Sequence, residues 1–405
     1  MSAFELKKDV LYAVGVQNPT MRIFDVIMKT EYGTSYNSYI IKGTEKTVLI
    51  ETCHLSFFEP YLNNIKEVCK LQEIDYIVLN HCEPDHSGVL KKLTALCPKA
   101  KIITSQPGSI YLKHITNNPE LPLTVVKDGS KIDLGGKELT FFISPFLHWP
   151  DSMFTWCEED KTLFSCDFLG AHFCEPYVVD KNVIYKAKYE TAFKEYFDAI
   201  FGPFKPYVLK GLDKIKDLDI DLACTSHGPV LTKGVFLEQA IQHYAQWSKP
   251  VLQENKQIPI FYCSAYGNTG LVANAVKDGI LKAIPTASVD VFDIIYYDMG
   301  MLAEKINASD AFCIGSPTIN ADALPPVWVL LSHVDAINSR KKGAIVFGSY
   351  GWSGEAVPNI TARLTGLKMN VFGEGFRVQF VPSGEDLLKA QQFGFDFASS
   401  LNLLP

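Results

Sequence analysis

No two of the ten cysteines stand as C-x-x-C, so the chain carries no rubredoxin-type or zinc-ribbon knuckle with paired thiolates. Scattered thiols of this kind read as reduced, buried small hydrophobes. No stretch approaches the ~20 consecutive apolar residues of a membrane span. The start, "MSAFELKKDVLYAV", lacks the apolar core and small-residue cleavage site of a secretory signal, so a soluble, cytoplasmic protein is expected. Basic residues are the minority, 38 Lys+Arg against 45 Asp+Glu for a net charge of -7, which argues against a general nucleic-acid binder. Neither G-x-x-x-x-G-K-[ST] nor G-x-G-x-x-G occurs, which excludes an NTPase loop and a dinucleotide fingerprint. There is no internal repeat and no low-complexity tract. What is present is 405 residues, 47% of them hydrophobic, more than one core usually absorbs, so two domains are expected.

The two halves have different rhythms. Up to about residue 243, strand-like runs ("SYNSYIIKG", "KTVLIETC", "IDYIVLNHC", "AKIITSQ", "LTFFISPF", "TLFSCDF") mix with helical stretches such as "SGVLKKLTALC". Tight connections in "DGSKIDLGGKELTFF" and "CEEDKTLFSC" predict hairpins. Residues 244–257 read as a helix end plus linker, which places the domains at 1–250 and 251–405. From residue 258 the chain alternates strands ("IPIFYCS", "SVDVFDII", "DAFCIGSPT", "GAIVFGSYG", "NVFGEGFRVQF") with helices near 270–284, 301–308, 326–338, 355–366 and 384–402. That pattern predicts a doubly wound parallel sheet.

The stretch "LNHCEPDHSG" puts His81, Glu83, Asp85 and His86 directly behind an apolar strand. Such a density of ionisable groups needs a cation to neutralise it. His148, Asp167 and His227 also follow apolar runs, so seven side chains are expected to converge from strand ends. Seven ligands exceed the needs of one ion and suit two that share a carboxylate. Four imidazoles and three carboxylates without a thiolate leave iron, manganese and zinc open. Asp85 and Ser87 are also placed to cap a helix starting near Gly88. His172 is read as orienting a ligand or delivering a proton, with Tyr196 near the same pocket. His54, His114, His243 and His333 lack such a context and read as structural or surface residues.

In the second half, "IFYCSAYGNTG" joins a strand to a helix and offers Ser264, Tyr266, Gly267, Asn268 and Thr269 at a helix N-terminus. Free backbone N–H groups and the helix dipole stabilise a phosphate there. With the nucleotide fingerprints absent, a phosphomonoester remains. Two more strand-end loops, "GSPTIN" (Ser316, Pro317, Thr318, Asn320) and "GSYGWSGE" (Ser349, Tyr350, Gly351, Trp352, Gly354), lie in register with it.

These residues carry a resemblance. Metallo-β-lactamase-like hydrolases read H-x-H-x-D-H where this chain reads H-x-E-x-D-H, and "FLHWPDSM", "LFSCDFLGAH" and "SHGP" follow at intervals of 61, 18 and 59 residues between the ligands. The combination resembles the flavodiiron proteins over nearly the whole chain, and the second half resembles a flavodoxin. The resemblance implies an N-terminal metallo-β-lactamase-like αββα sandwich followed by a C-terminal flavodoxin-like sheet. It implies two non-haem irons, one on His81, Glu83 and His148, the other on Asp85, His86 and His227, with Asp167 bridging. It implies FMN, its phosphate on the 264–269 loop and its ring among the other two, with Tyr350 or Trp352 stacking and Thr318 and Asn320 in polar contact. Reduction of dioxygen to water, of nitric oxide to nitrous oxide, or both, would follow, with oxygen placed first. Electrons would come from a separate carrier such as rubredoxin, a reductase or a deazaflavin. A head-to-tail homodimer or dimer of dimers would bring the flavin of one subunit to the irons of another. The alternative is a binuclear zinc hydrolase with a flavodoxin-like appendage, which Glu83 disfavours; a further one is an electron carrier with a purely structural metal site.

Overall fold

A computed structural model describes residues 2–26, 28–250 and 253–401. The chain divides into two compact units, Met1–Pro250 and Val251–Pro405.

The first unit is built on two sheets. One runs in the order Phe4–Lys7, Leu11–Ala13, Tyr39–Lys42, Thr47–Ile50, Ile74–Val78, Lys101–Thr104 and Leu123–Val125, antiparallel up to Thr47–Ile50 and parallel beyond it. The other runs Lys131–Asp133, Glu138–Ile143, Met153–Cys157, Thr162–Cys166, Leu222–Thr225 and Leu231–Thr232, with the Thr162–Cys166/Leu222–Thr225 pair parallel. Both expected hairpins form, Lys131–Asp133 with Glu138–Ile143 and Met153–Cys157 with Thr162–Cys166.

Alternation along the strands produces the layers. Tyr39, Ile41, Val48, Ile50, Phe141 and Phe164 point between the sheets into a shared core. Ile40, Leu49 and Ile77 point outward against Tyr61, Leu62 and Ile65 of helix Phe58–Val68. Phe58, Tyr61, Leu62 and Ile65 are spaced so that all fall on one helical face, which is the buried one. Phe154, Trp156 and Leu163 face the opposite way, onto helices Lys186–Tyr196 and Leu237–Ser248. The result is the helix–sheet–sheet–helix order of the expected sandwich.

In the second unit the strand order is Val291–Asp293, Ile260–Tyr262, Ala311–Gly315, Gly343–Tyr350 and Asn370–Val371, all parallel. The order reverses beside Ile260–Tyr262, so the crevice for a ligand lies at the carboxyl ends of that strand and Ala311–Gly315. Three expectations change in detail. The run "NVFGEGFRVQF" is two strands, Asn370–Val371 and Phe376–Gln379, because Gly373 and Gly375 adopt positive φ between them. The helix expected to reach residue 338 ends at Ser332, with His333 as its C-cap. The last helix is Gly384–Leu401, and position 402 of the expected span lies outside the described residues.

Among the described residues no helix is long and apolar enough to cross a membrane. All ten cysteines are free, and all but Cys174 are buried.

Candidate metal centre and phosphate loop

The seven side chains sit beyond the ends of strands, three of them within three residues of one. His81 follows Ile74–Val78, Asp167 follows Thr162–Cys166, and His227 follows Leu222–Thr225. Asp85 and His86 lie on the short helix Pro84–Ser87, and neither Asp85 nor Ser87 caps the next helix: Leu90–Leu96 has Val89 as N-cap with no side-chain bond. The Ser87 hydroxyl instead donates back to the carbonyls of Cys82 and Glu83, closing the loop on itself. Backbone around the site is strained, with Glu51, Phe146, Cys166 and Leu169 at φ of +59°, +66°, +55° and +68°. Left-handed non-glycine residues cost of order 1–3 kcal/mol each and persist where the surrounding structure compels them.

The seven groups converge as two triads about one carboxylate. Asp167 Oδ2 lies 3.8 Å from His81 Nε2 and 3.5 Å from His148 Nε2, and Glu83 Oε2 lies 3.1 and 3.2 Å from the same two nitrogens. Asp167 Oδ1 lies 3.2 Å from His86 Nε2 and 3.4 Å from His227 Nε2, while Asp85 Oδ2 lies 3.4 and 3.1 Å from those. Three of the donor groupings compact enough to hold an ion are therefore His81–Glu83–His148, Asp85–His86–His227 and His81–His86–Asp167.

The donor set fits two cations. Both oxygens of Asp85, both of Asp167 and His86 Nε2 are buried without a hydrogen-bond partner, a condition that native interiors rarely tolerate. Burial alone would raise the Asp167 carboxyl, but the charge of His86 and bonds to His148 and His86 outweigh it and hold it well below the usual range. Burial opposes protonation of His81, yet bonds to Asp151 and Glu83 raise it to about 10. The cluster thus demands positive charge, which metal ions would supply in place of protons.

The imidazoles are oriented from behind. His227 Nδ1 donates to the Ser35 carbonyl at 2.6 Å, which leaves Nε2 as the lone-pair nitrogen facing the cluster. His81 Nδ1 lies 3.1 Å from Asp151 Oδ2. His172 does not join the triads; its Nδ1 is 2.9 Å from Thr34 Oγ1 and its Nε2 is buried without a partner. Burial and then the neighbouring His227 push His172 well below the ordinary histidine range. Tyr196 packs edge-on against the His172 ring, with centroids 4.8 Å apart.

Beside the triads lies a cavity of about 10 Å³, lined by Phe24, Asp25, His172, Tyr196 and Ile200 as well as the ligand residues. That is room for one molecule about the size of water. Asp25 was not legible in the sequence, where "RIFDV" carries no motif. Burial, and next the Glu83 carboxylate, push it up to about 6. Of the histidines read as structural, His54 accepts the Ser56 N–H, His243 stacks on Trp247 and His333 Nδ1 lies 2.8 Å from the Val329 carbonyl.

In the second unit, helix Asn268–Ala283 begins directly after Gly267. Ser264 Oγ is buried there without a partner, and nothing lies within 4 Å of where a Gly267 Cβ would stand. An orphaned hydroxyl beside an open helix N-terminus fits a phosphate. Thr269 Oγ1 and Ser349 Oγ are 2.9 Å apart, tying the first turn of this helix to the carboxyl end of strand Gly343–Tyr350. Ser316 and Thr318 serve the loops themselves: Ser316 Oγ accepts Leu324 N–H at 3.0 Å and Thr318 Oγ1 accepts Ala356 N–H at 3.2 Å. Asn320 takes a left-handed turn, φ +56°, and Pro317 follows the buried Ser316. Tyr350 is half-buried, packed against Gly354, whereas Trp352 and Tyr266 are 95% and 91% exposed. Large aromatic faces left bare at a strand-end crevice suit a planar ligand.

Comparison with known proteins adds the following. The model for the ODP family beta lactamase matches residues 34–228, and that for flavodoxin matches residues 260–394. The flavo-diiron protein FprA2 of Clostridium acetobutylicum is 55% identical over 97% of this chain and 98% of its own. The anaerobic nitric oxide reductase flavorubredoxin of Vibrio vulnificus is 34% identical over 91% of this chain and 75% of its own. The solved structure of the rubredoxin oxygen:oxidoreductase from Desulfovibrio gigas superposes with a TM-score of 0.70 at 27% identity, covering 99% of both chains.

Proposed function

This chain belongs to the flavodiiron proteins, and on that footing we propose that it is an FMN-dependent di-iron oxidoreductase whose principal substrate is dioxygen, reduced to water. In this reading His81, Glu83 and His148 hold one iron, Asp85, His86 and His227 the other, and Asp167 bridges them. Ser264, Tyr266, Gly267, Asn268 and Thr269 receive the FMN phosphate, and the loops at 316–320 and 349–354 receive its ring. When bound, the irons supply two electrons and FMN two more, the four that with four protons take dioxygen to two waters.

The observation that carries the reading is the two-sided Asp167, whose Oδ1 faces His86 and His227 and whose Oδ2 faces His81 and His148. Glu83, standing where the hydrolases of this fold carry their second histidine, argues against a zinc hydrolase. Phe24 and Ile200 give the cavity an apolar wall, while Asp25, His172 and Tyr196 are the polar side chains that line it without belonging to the triads. His172, held through Nδ1 by Thr34, offers Nε2 for a proton on the cavity side. Electrons are supplied by a separate carrier, a rubredoxin, a reductase or a deazaflavin, and a head-to-tail dimer brings the flavin of one subunit to the irons of the next.

Nitric oxide is the second substrate, two molecules with two electrons and two protons giving nitrous oxide and water. The similarity to a flavorubredoxin named as a nitric oxide reductase supports it. The test is anaerobic reduction of protein made with ample iron and riboflavin, followed by one aliquot each of dissolved oxygen and nitric oxide. Faster reoxidation by oxygen, without released peroxide, is expected; faster reoxidation by nitric oxide reverses the order. A preparation with zinc in both positions and no turnover of either gas overturns the reading.

A further inference from the structure

We propose that Glu51 and Asp151 are positioning residues of the metal centre, two buried carboxylates that anchor the ligand loop and, by standing behind His86 and His81, lower the reduction potential of the irons bound there. The inference rests on the di-iron reading and goes beyond its seven ligands.

The two residues are built alike, although 100 positions separate them. Glu51 follows strand Thr47–Ile50, is 1% exposed and is held at φ +59°. Its Oε1 accepts the Asn80 N–H at 3.0 Å, and its Oε2, without a hydrogen-bond partner, lies 3.7 Å from His86 Nδ1. Asp151 is fully buried; its Oδ2 accepts the Cys82 N–H at 2.7 Å and lies 3.1 Å from His81 Nδ1, while Oδ1 has no partner. The pair therefore grips the backbone on either side of His81 and sets a carboxylate against the far nitrogen of one imidazole in each triad. At 3.7 Å the Glu51 contact is Coulombic, whereas Asp151 is within hydrogen-bond reach.

The anchoring does not explain the charge. An amide oxygen would accept the same backbone N–H, and burying a carboxylate is costly unless a positive charge answers it. Among the described residues neither carboxylate has a lysine or arginine within ion-pair distance; their only ionic partners are the two ligand histidines. The answering charge is thus the metal, felt through the imidazole. A carboxylate behind a ligand histidine makes it a stronger donor and favours the more positive oxidation state.

The test uses iron- and FMN-loaded protein carrying Glu51→Gln or Asp151→Asn, with the di-iron couples read by an EPR-monitored anaerobic titration and the FMN couples as internal control. Both variants are expected to hold two irons per chain, with di-iron potentials raised and FMN potentials unmoved. Asp151→Glu, which keeps the charge, shifts less than Asp151→Asn. Where an amide variant does not retain iron, cobalt(II) titration of the apoprotein replaces the potential. Affinity is then expected to fall about 10–100-fold in the amide variant and by less in Asp151→Glu. Iron-replete variants with unmoved or lowered potentials, or equal cobalt losses in Asp151→Asn and Asp151→Glu, overturn the inference alone. A wild-type protein unable to hold paired iron overturns the di-iron reading and this inference with it.

Discussion

The hydroxyl of Ser264 is buried at the start of helix Asn268–Ala283 and finds no partner within the protein. Replacing it with alanine removes no bond that the flavin-free protein uses, yet on the proposed reading takes one donor from the FMN phosphate. Loss of such a bond to a charged group is worth about 1.5–3 kcal/mol, a weakening of FMN binding of roughly 10- to 150-fold for Ser264→Ala. The melting temperature of the flavin-free variant should match or slightly exceed wild type. Flavin titration beside apoprotein melting checks this, and equal damage to both would make the hydroxyl structural. At this scale the proposed ligands were legible because H-x-E-x-D-H is a pattern. Asp25, Glu51 and Asp151 were not, since each is a single acidic residue in "RIFDV", "LIETC" or "HWPDS" and gains its meaning from neighbours brought in by the fold.

Between elements, helices Asn268–Ala283 and Gly384–Leu401 cross where both surfaces are reduced to glycine. A Cβ on Gly279 would lie 1.8 Å from the Gln391 carbonyl oxygen, and one on Gly394 would lie 2.3 Å from that of Val276. Alanine normally gains about 1 kcal/mol over glycine inside a helix, but here it would strike backbone that cannot rotate away. Gly279→Ala should lower stability by roughly 2 kcal/mol or more in urea unfolding; a stabilised variant would show that the helices slide apart at little cost. Lys342, just ahead of strand Gly343–Tyr350, donates to the Ile306 and Asn307 carbonyls at 2.6 and 2.9 Å, capping the end of helix Met299–Ala308. Burial brings its pKa from 10.5 down to about 8, despite Asp310 and Asp335. The folded protein then binds fewer protons than the unfolded chain between pH 8 and 10.5, so stability rises with pH across that window. Relative to Lys342→Met, wild type should gain about 1–3 kcal/mol from pH 7.5 to 10 in urea unfolding, the range allowing for partial exposure of the ammonium. A flat difference would place the ammonium in water. The helix that stops at Ser332 was misjudged in length for a reason of the same scale: Val334 beyond it is still buried, but the chain turns there as the Asp335 carboxylate accepts the Ile337 N–H.

Over the whole molecule, each unit closes its own hydrophobic cores. Ligands should therefore stabilise them separately. FMN at 100 times its Kd should add about 2.7 kcal/mol to the unfolding of Val251–Pro405 alone, and chelation of metal should destabilise Met1–Pro250 alone. Differential scanning calorimetry of the full chain, with and without flavin and chelator, should show two transitions that move independently. A single transition that both treatments shift together would mean that the units unfold as one.

Local order was enough to determine the period of the strands and to single out the candidate metal donors and the candidate phosphate loop, because each is written in residues that lie close together or at strand ends. The two-sided placement of Asp167, the size of the cavity and the carboxylates behind the imidazoles were decided by the tertiary structure. Those depend on contacts such as Asn80 N–H to Glu51 and Cys82 N–H to Asp151, whose partners lie 29 and 69 positions apart in the chain. Only sheet pairing and packing bring such groups within hydrogen-bond distance, and no spacing along the chain encodes that distance.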